Sequence, residues 1–597
     1  MKLLQKHAVL FTLFFTLLLA FAAPYLIPAD PDASVFRSGS FGALLIVFGA
    51  FTVRRSLEKS DLRALKYGLF FALIFSFLLG LGSELTYYGK LLSGFGSLVR
   101  RFAVPLMASP YLGALFALAL SFEPERSKHS RLPFLFFFLL FAGCYTLILL
   151  AKFPGILNYD FEFEITQYLT GVYEVKHPVF HSMLLGWLYS LGNALFGSMT
   201  AGAAAYSIFQ ILCLAAAYAT VCRFVQRRVP RLATLILTAC FAFLPFHGVL
   251  AISTVKDALF SALCALLCIL LWRIAENPEG FMASRRLKAA FIALCLLMGL
   301  IRLNGLFAFI PACIAVITLC KSHKKQAVLL CAAALVLSLG VPRALNLAVH
   351  AEKSSTAELM SIPCQQLMRT AERAPISEEE YAEINAWFSD QTHRYRPHSA
   401  DPAKGGNFDY ARYQADPSAY WSLYFRYLKR YPAIYLEAFL DNCMGLWYPD
   451  DMSHSHSLDS EDWDYVYLKG GNIVPEILGD IDAKSYIPRL TRLLYLFTQS
   501  SRHELIPLVS LLFRPSLYVF LMLFITLYMR LHQRRAFISA VAPLWGIFLS
   551  LLFSACILVR YVYPIMAVLP PILMLMLYSK GADCRETQPV KPAAQAD

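Results

Sequence analysis

The segment PFLFFFLLFAGCYTLILLAKFPGILNYDFEFEITQ, residues 133–167, decides the fold class. Its first part contains no charged residue and is long enough to cross the hydrocarbon core of a bilayer as one α-helix. Its second part leaves the apolar run and sets Asp160, Glu162 and Glu164 in alternation. The segment therefore predicts a membrane-spanning helix that is followed by an acidic loop at the membrane surface.

The composition of the whole chain indicates a membrane protein. Of the 597 residues, 58% are hydrophobic and 16% are charged, and the mean hydropathy is +0.54. Such a chain cannot cover a soluble fold with an ordinary polar surface. The formal net charge is +13, but Lys and Arg fall mostly in short connections between apolar runs, where they orient a chain in the membrane. We therefore predict an all-α polytopic membrane protein and exclude nucleic acid as a partner.

Apolar runs of about twenty residues predict about 14 transmembrane helices. These runs lie near residues 7–27, 39–53, 67–87, 103–122, 133–151, 199–222, 232–250, 255–275, 287–303, 304–320, 326–345, 508–530, 535–557 and 561–579. If the N-terminus is cytoplasmic, every inner connection is rich in Lys and Arg, as in RFVQRRVPR and RLHQRR. The positive-inside rule therefore predicts that both termini are cytoplasmic.

The apolar segment 179–196 is long enough for one more helix, but a crossing there would invert every later loop. We expect it to lie along the outer interface or to re-enter the membrane. The predicted organisation has six parts. The first three are N-terminal transmembrane helices in 1–151, a first outer loop with the interfacial helix in 152–198 and a central bundle in 199–346. An extracytoplasmic, mostly helical domain in 347–505, C-terminal transmembrane helices in 506–580 and a disordered cytoplasmic tail in 581–597 follow.

Five cations lie on the side of the membrane where Lys and Arg are otherwise rare. On the predicted topology all five fall at or near the outer ends of helices, and they are Lys152, Lys256, Arg302, Arg343 and Arg560. A Lys or Arg in the middle of a bilayer costs about 3 kcal/mol, so each needs water, a partner or an anionic ligand. A single one of them is explained by snorkelling to headgroups. Five together, beside an acidic loop, favour a bound anion.

The three carboxylates of the loop have two alternative arrangements. In an extended segment all three share one face, whereas in a helix Asp160 and Glu164 share a face and Glu162 turns away. Like charges at this distance raise one another's pKa, which suits a general base or, with a divalent cation such as Mg²⁺ or Mn²⁺, a metal site. The alternative is a solvated turn after a helix. Asp160 is the strongest candidate, both as a base and as a metal ligand.

Other chemistry-bearing residues are less specific. His177 follows in the same loop, where a hydrogen-bonded structural role competes with a role in catalysis. His454 and His456 stand among acids and serines, which is typical of a surface loop. Cys364 and Cys443 share the outer domain, where oxidation to a disulfide is one alternative, and spacing alone does not decide whether they pair. No Gly-rich phosphate loop and no GxSxG motif stands out, so ATP-driven transport and serine hydrolysis have no motif in the chain.

Several blocks of the sequence resemble integral-membrane glycosyltransferases of the GT-C type. FPGILNYDFEFEITQ followed by HPVFHSMLLGWLYSLGNALFGS is similar to their first outer loop, in which an Asp follows a helix end. An uncharacterised bacterial branch of that superfamily is still more similar, with matching blocks at LPFHGVLAISTVKDALFS, SIPCQQLMRT, YLEAFLDNCMGLWYP and RYVYPIMAVLPP. The helices that precede the loop exceed the single helix usual in the superfamily and indicate an N-terminal extension.

This resemblance implies a GT-C-like fold and a sugar donor linked to a polyprenyl phosphate, with the loop Asp as acceptor base or metal ligand. Asp160 occupies that position, but Phe161 and Glu162 replace the small polar residue and Gln that tend to follow, so Glu162 is a second candidate acid. Lys256, Arg302 and Arg560 are candidates for binding the donor phosphate. The remaining candidates for the acceptor site or pocket are Glu164, Gln167, His177, Asp257, Gln365, Gln366 and Tyr561.

The sequence thus predicts an inverting glycosyltransferase of a bacterial plasma membrane, where the inverting outcome is implied by the resemblance. It would transfer a sugar from a polyprenyl-phosphate carrier to an external glycan, lipid or wall polymer, among membrane lipids. A carboxylate near the acceptor hydroxyl and cations at the leaving phosphate suit that reaction. The alternatives are a transporter or flippase of lipid-linked glycans and a lipid-binding scaffold without activity. Transporters usually place their polar groups near the middle of the membrane, whereas here the charges gather at helix ends.

Overall fold

The fold is known from a computed structural model that describes residues 7–26, 39–124, 129–352, 359–388, 395–405, 407–449, 481–498 and 509–578. The predictions for the tail 581–597 and for the loop with His454 and His456 lie outside the described residues. Within them the chain is all-α: helices are joined by turns and isolated β-bridges, and those ranges contain no β-strand. The predicted all-α class is therefore confirmed.

The helices fall into three groups along the chain. The first group is α1 Ala8–Leu26, α2 Gly39–Lys59, α3 Leu62–Tyr88, α4 Phe95–Leu120, α5 Phe134–Ala151, α6 Tyr159–Thr170, α7 Val179–Phe196, α8 Met199–Val225, α9 Arg231–Phe243, α10 Pro245–Ala251, α11 Lys256–Glu276, α12 Pro278–Ala283, α13 Arg285–Ile301, α14 Leu306–Leu319 and α15 Lys324–Ala348. The second group is α16 Ser361–Arg373, α17 Glu378–Asn385, α18 Asp401–Lys404, α19 Tyr410–Ala415, α20 Pro417–Arg430, α21 Pro432–Asn442, α22 Met444–Trp447 and α23 Pro488–Thr498. The third group is α24 Pro515–Leu531, α25 Ala542–Leu551 and α26 Val559–Tyr578.

Seven helices of the described chain are long and apolar enough to cross a membrane, and eight if α9 and α10 form one bent span. The seven are α3, α4, α5, α8, α11, α15 with the short turn before it, and α26. The protein is therefore a multi-pass membrane protein. Each of the 14 predicted segments contains a helix, but α1, α14, α24 and α25 offer shorter apolar stretches. The number of 14 spans stays a prediction, and α7 is not among the seven.

Helix α11 forms the centre of the bundle. It packs against α8, α13 and α26, and most of its side chains are buried, including Trp272 and Leu267. A helix that is apolar on every side is stable only when other helices or lipid surround it. Its first residue is Lys256, so this buried central helix carries a cation at one of its ends.

The chain bends by 49° between α9 and α10. Pro245 causes the bend, because a residue before proline is restricted to extended conformations, and Leu244 has φ −67° and ψ 123°. After the short α10 the chain runs through Ile252 to Thr254 before α11 begins. The bend therefore places this short connection at the end of the bundle that carries Lys256, which we call the Lys256 end.

The polar region between α15 and α24 contains the second group of helices. Residues of α16 to α21 pack around a core of their own, whereas α22 and α23 contribute Leu446, Trp447 and Leu494 to the core of the bundle. Aromatic side chains dominate the core of α16 to α21, among them Trp387, Phe408, Tyr420, Tyr427 and Tyr435. We call the helical unit from α16 to α21 the cap.

The cap contacts loops at the Lys256 end. The Ala400 N–H donates to Ala555 O at 2.7 Å, and just before the cap the Glu352 N–H donates to Tyr173 O at 2.8 Å. Between the cap and α24, Lys484 forms a bridge with Phe153 next to the end of α5. The cap therefore lies beside the loops that join these helices.

Candidate functional site

Two loops at the Lys256 end pair through their backbones. The N–H of Ile156 donates to Ile252 O, and the N–H of Thr254 donates to Ile156 O, each at 2.9 Å. Gly155 permits this pairing, since its φ is +127° and an added Cβ would lie 2.7 Å from Ile252 O. The loop after α5 and the loop before α11 are thereby held in register, although about a hundred residues separate them in the sequence.

Asn158 begins the helix that carries the acidic residues. Its side chain caps α6, and its backbone N–H donates to the Thr254 hydroxyl at 3.1 Å. The segment is thus helical, which decides between the two arrangements predicted for the carboxylates. Asp160 and Glu164 share one face of α6, and among the described residues Glu162 makes no ion pair with a neighbour.

Lys256 connects the two carboxylates of that face. Its Nζ lies 2.9 Å from Asp160 Oδ2 and 3.4 Å from Glu164 Oε1. The same Nζ lies 3.5 Å from Nδ1 of His177, and the His177 ring stacks on Phe163. The structure therefore brings together four residues that the sequence analysis selected, and we call Asp160, Glu164, His177 and Lys256 the acid–lysine cluster.

Arg560 reaches the cluster from the opposite end of the chain. Its Nη1 lies 3.2 Å from Asp160 Oδ2 and 3.3 Å from Asn158 Oδ1. Its Nη2 donates to the Tyr561 hydroxyl at 3.2 Å. One oxygen atom of Asp160 therefore accepts hydrogen bonds from both Lys256 and Arg560. Both bonds are charge-assisted, so they hold the carboxylate firmly in place.

Arg302 and Asp257 form a second charged pair beside the cluster. Nη1 of Arg302 is in close contact with Oδ1 of Asp257. The Tyr561 ring centroid lies 5.2 Å from Arg302 Cζ and 4.9 Å from Arg560 Cζ, so one aromatic ring contacts both guanidinium groups. The three cations predicted to bind the donor phosphate therefore lie around Asp160 and Tyr561.

A buried series of hydrogen-bonded side chains contacts the second oxygen of Glu164, and the sequence analysis did not predict it. Nδ1 of His181 is in close contact with Glu164 Oε2, and Nε2 of His181 lies 2.7 Å from the Tyr206 hydroxyl. That hydroxyl donates to Gln210 Oε1 at 3.1 Å, and Gln210 Nε2 donates to Ser253 O at 2.6 Å. The series returns to the loop before Lys256, so it fixes Glu164 and that loop together.

Charge keeps both carboxylates ionised. Burial raises the pKa of Asp160, but the ammonium of Lys256 and the guanidinium of Arg560 outweigh burial and hold this pKa well below its usual value. Burial likewise raises the pKa of Glu164, while His181 and Lys256 lower it by more, and the net shift is downward. The expected mutual rise of the carboxylate pKa values is therefore wrong for these two residues, because cations rather than like charges lie closest. Only the pKa of Glu162 is raised, by burial.

The other predicted pocket residues lie further from Asp160. Gln167 accepts from the Ser182 hydroxyl at 3.4 Å on the same helix pair as Glu164. Gln365 donates to the Arg396 carbonyl, and Gln366 donates to Tyr435 O at 3.0 Å, so both amides stabilise the core of the cap. Within the described ranges neither glutamine forms a hydrogen bond with a residue of the acid–lysine cluster.

A divalent cation fits the donor set but not its present surroundings. One ligand atom each from Asp160, Glu164 and His177 lies within 4.8 Å of the others, and oxygen with imidazole donors suits several divalent metals. However, Nζ of Lys256 contacts all three of these groups. The residues as arranged therefore do not accommodate the metal that a GT-C-like loop Asp implies.

The fold and the site define a multi-pass, all-α membrane protein with a charged cluster at one end of its bundle. The chain belongs to the family described as "Family of unknown function (DUF6020)", which matches residues 166–589. His177, Lys256, Arg302 and Arg560 lie inside the matched segment, whereas Asp160 and α1–α5 precede it. Searches among curated proteins and among solved structures give no match.

Proposed function

We propose that this protein is a GT-C-like glycosyltransferase of a bacterial plasma membrane. In this proposal it transfers a sugar from a polyprenyl-phosphate donor to an extracytoplasmic glycan, lipid or wall polymer. The observation that carries the proposal is the position of Asp160, whose Oδ2 lies 2.9 Å from Lys256 Nζ and 3.2 Å from Arg560 Nη1 at the end of a membrane bundle. One ionised acid beside several cations is the arrangement that a departing phosphate and an attacking hydroxyl both need.

The cations provide the phosphate site. Three carboxylates, Asp160, Glu164 and Asp257, are paired with three cations, Lys256, Arg302 and Arg560, so the site is close to neutral when no ligand is bound. An incoming phosphate must therefore replace a carboxylate as a partner of one cation. Arg560 is the best placed, because a guanidinium binds phosphate through two parallel hydrogen bonds and Tyr561 already orients it.

Phosphate binding also prepares the acid. When the phosphate takes over Arg560, Asp160 loses one of the two cations that lower its pKa, and its affinity for a proton rises. The acceptor hydroxyl then attacks the anomeric carbon of the sugar. The new bond forms between that oxygen and the carbon, the carbon–oxygen bond to phosphate breaks, and its electron pair leaves with the polyprenyl phosphate. The hydroxyl proton goes to Asp160.

The site also has the location that this donor requires. The cluster lies where α5, α11, α13 and α26 begin or end, so a polyprenyl tail in the membrane delivers its phosphate to the height of Lys256 and Arg560. The cap and its aromatic core lie beside the same loops and offer a surface for the acceptor. On the predicted topology this end faces the outside of the cell, because the opposite end carries the basic connections.

The decisive experiment measures release of free polyprenyl phosphate. The purified protein is reconstituted in nanodiscs with a panel of radiolabelled polyprenyl-phosphate hexoses and pentoses, and cell-envelope glycan or lipid extracts are added as acceptors. The wild-type protein releases carrier only when acceptor is present. Asp160→Asn lowers this release by about 100-fold or more, the range typical of a lost general base. Glu162→Gln, which changes the other candidate acid, keeps it.

Other results would replace the proposal. If the wild-type protein binds the donors but no acceptor in the extracts causes release, a binding scaffold is the better description. If it moves the donor between the two leaflets of a liposome without cleaving it, the protein is a flippase. If Asp160→Asn releases carrier at the wild-type rate, the catalytic role of Asp160 is wrong even when transfer occurs.

A further inference from the structure

The acid–lysine cluster has the donor set of a divalent metal site with a cation already inside it. Asp160, Glu164 and His177 each present one ligand atom, and these atoms lie within 4.8 Å of one another. Two carboxylate oxygens and one imidazole nitrogen at this spacing are a common partial coordination shell for Mg²⁺, Mn²⁺ or Zn²⁺. In this protein, however, a side-chain ammonium group contacts all three.

Lys256 is held among the three ligand atoms. Its Nζ lies 2.9 Å from Asp160 Oδ2, 3.4 Å from Glu164 Oε1 and 3.5 Å from His177 Nδ1. The Lys256 side chain is only 15% exposed, and Glu164 is 1% exposed. An ammonium group has three N–H donors and no acceptor, so the three neighbours match its full hydrogen-bonding capacity.

We infer that the Lys256 ammonium is the resident cation of this site and takes the place of a divalent metal. A metal bound by these oxygens would lie about 2.1 Å from each of them, which brings it within about 3 Å of Nζ. Two positive charges at that separation repel strongly in a largely buried site. Arg560 adds a further positive charge on the same Asp160 oxygen.

The remaining contacts of the ligands favour lysine over a metal as well. The second oxygen of Glu164 is in close contact with His181, whose other nitrogen lies 2.7 Å from Tyr206. Glu164 therefore presents a single oxygen to the cluster and cannot chelate through both. Lys256 is also the first residue of the buried helix α11, so its backbone is fixed at the end of the central helix of the bundle.

This inference concerns the same residues as the proposed transfer reaction but does not depend on that reaction. It implies that the site neutralises its carboxylates without a metal from solution. It also implies that the metal site is latent: removal of the lysine leaves three well-placed ligands and a net negative charge. Affinity for a divalent cation rises with the number of uncompensated charges among its ligands.

Manganese binding tests the inference directly. Chelator-treated protein in nanodiscs is titrated with Mn²⁺, and free and bound ion are separated by electron paramagnetic resonance. The wild-type protein and Lys256→Arg, which keeps the positive charge, are expected to bind no Mn²⁺ at this site. Lys256→Ala is expected to bind one equivalent, at a free Mn²⁺ concentration at least ~10-fold below the highest one at which the wild-type protein still binds none. The double variant with Lys256→Ala and Glu164→Gln is expected to lose that equivalent.

Two results would overturn the inference. The first is an equivalent of Mn²⁺ on the wild-type protein that Glu164→Gln removes while Lys256 is intact. The second is a Lys256→Ala protein that keeps its helical circular dichroism and its elution volume but binds no Mn²⁺. If Lys256→Ala does not fold, the inference is still tested by comparing Mn²⁺ binding between the wild-type protein and Glu164→Gln. Because binding is measured without any substrate, a failed transfer assay leaves this result unaffected.

Discussion

Nη1 of Arg560 lies 3.2 Å from Oδ2 of Asp160, although 400 residues separate them in the sequence. The contact joins the first residues of α26 to the first turn of α6, so it exists only when the two helices pack together. Asn158 accepts from the same guanidinium nitrogen at 3.3 Å, so the N-cap of α6 also contributes to the pair. A substitution at either end of the chain therefore tests the same site.

The first prediction concerns phosphate binding by Arg560. Arg560→Gln is expected to weaken binding of polyprenyl phosphate by about 10- to 100-fold, because a charge-assisted hydrogen bond contributes about 1.5–3 kcal/mol. Arg560→Lys is expected to fall between this variant and the wild-type protein, since it keeps the charge but loses the two parallel donors. Binding is measured with the labelled carrier in nanodiscs.

The matched control for this prediction is Arg343→Gln. Arg343 is exposed on α15 and was also predicted to lie near the outer end of a helix, so it tests whether any cation there suffices. The control is expected to bind the carrier as the wild-type protein does. An equal loss in Arg343→Gln and Arg560→Gln would mean that binding reflects general attraction to a charged surface.

The second prediction concerns acid sensitivity. In the folded protein the pKa of Glu164 lies below its ordinary value of 4.5, and that of Asp160 lies below 3.8. A depressed folded-state pKa stabilises the protein above the unfolded-state pKa, and this stabilisation is lost as the pH falls through the folded-state value. The wild-type Tm in nanodiscs should therefore decrease as the pH falls below about 4.5.

Glu164→Gln separates this effect from general acid denaturation. At neutral pH the variant should be less stable by about 3–5 kcal/mol, because a buried ion pair loses one partner. Below pH ~4.5 its Tm should fall less steeply than that of the wild-type protein. Glu379→Gln, on an exposed position of α17, serves as the control and should follow the wild-type curve. Parallel curves for Glu164→Gln and the wild-type protein would contradict the assignment.

Much of the fold could be predicted because few backbone conformations satisfy their hydrogen bonds inside a membrane. Uncharged runs of span length form helices, since a bilayer offers no other partner for backbone groups. The sequence predicted that Asp160, Lys256 and Arg560 serve one site at the outer ends of helices, because a cation near a membrane needs water, a partner or an anionic ligand. The number of spans is less predictable, because α14 and α24 are short and length alone does not show whether they cross.

Other parts of the site could not be predicted because their spacing follows from tertiary packing. His181 was missed because it stands in the apolar run VFHSMLLG, where one histidine has no distinctive signal. A signal was present in α8, where Tyr206 and Gln210 are four residues apart and so share a face of an otherwise apolar helix. The pairing of Arg302 with Asp257 depends on how α13 returns beside α11, which no local pattern encodes.

The third prediction concerns the attachment of the cap. Arg369 is buried in α16, where it pairs with Glu437 at 3.0 Å and with Asp441 at 2.5 Å, and its Nη2 donates to Gly89 O at 2.7 Å. The same residue therefore joins α16 to α21 within the cap and bonds the cap to the end of α3. Arg369→Ala removes the guanidinium that pairs with the two buried carboxylates, so a loss of about 3–5 kcal/mol in the free energy of unfolding is expected.

Thermal unfolding and limited proteolysis measure this loss. Arg369→Ala should unfold at a lower temperature, and the segment after Gly89 should become open to proteases, because the Gly89 carbonyl has lost the guanidinium that donates to it. Arg373→Ala is the control: its side chain is 47% exposed and pairs with its neighbour Glu372 at the surface, so its effect should be small. Equal Tm values for the two variants would show that the buried pair does not hold the cap.

The last prediction concerns Gly155, which positions the acidic helix. Its φ of +127° is unfavourable for any residue with a Cβ, and a Cβ there would lie 2.3 Å from Ser207 Oγ and 2.7 Å from Ile252 O. Gly155→Ala is therefore expected to cost about 1–3 kcal/mol through backbone strain alone. It should also part the two loops whose pairing brings Asp160 to Lys256.

Stability and carrier binding should therefore fall together in Gly155→Ala, as measured by Tm and by binding of polyprenyl phosphate in nanodiscs. Gly143→Ala provides a control of opposite sign, because Gly143 lies inside α5 and a Cβ there meets no atom within 4 Å. Alanine in a helix interior is more stable than glycine by about 0.5–1 kcal/mol, so this variant should gain stability and keep its binding. A Gly155→Ala protein that keeps wild-type Tm and wild-type binding would show that the register of these loops does not position Asp160.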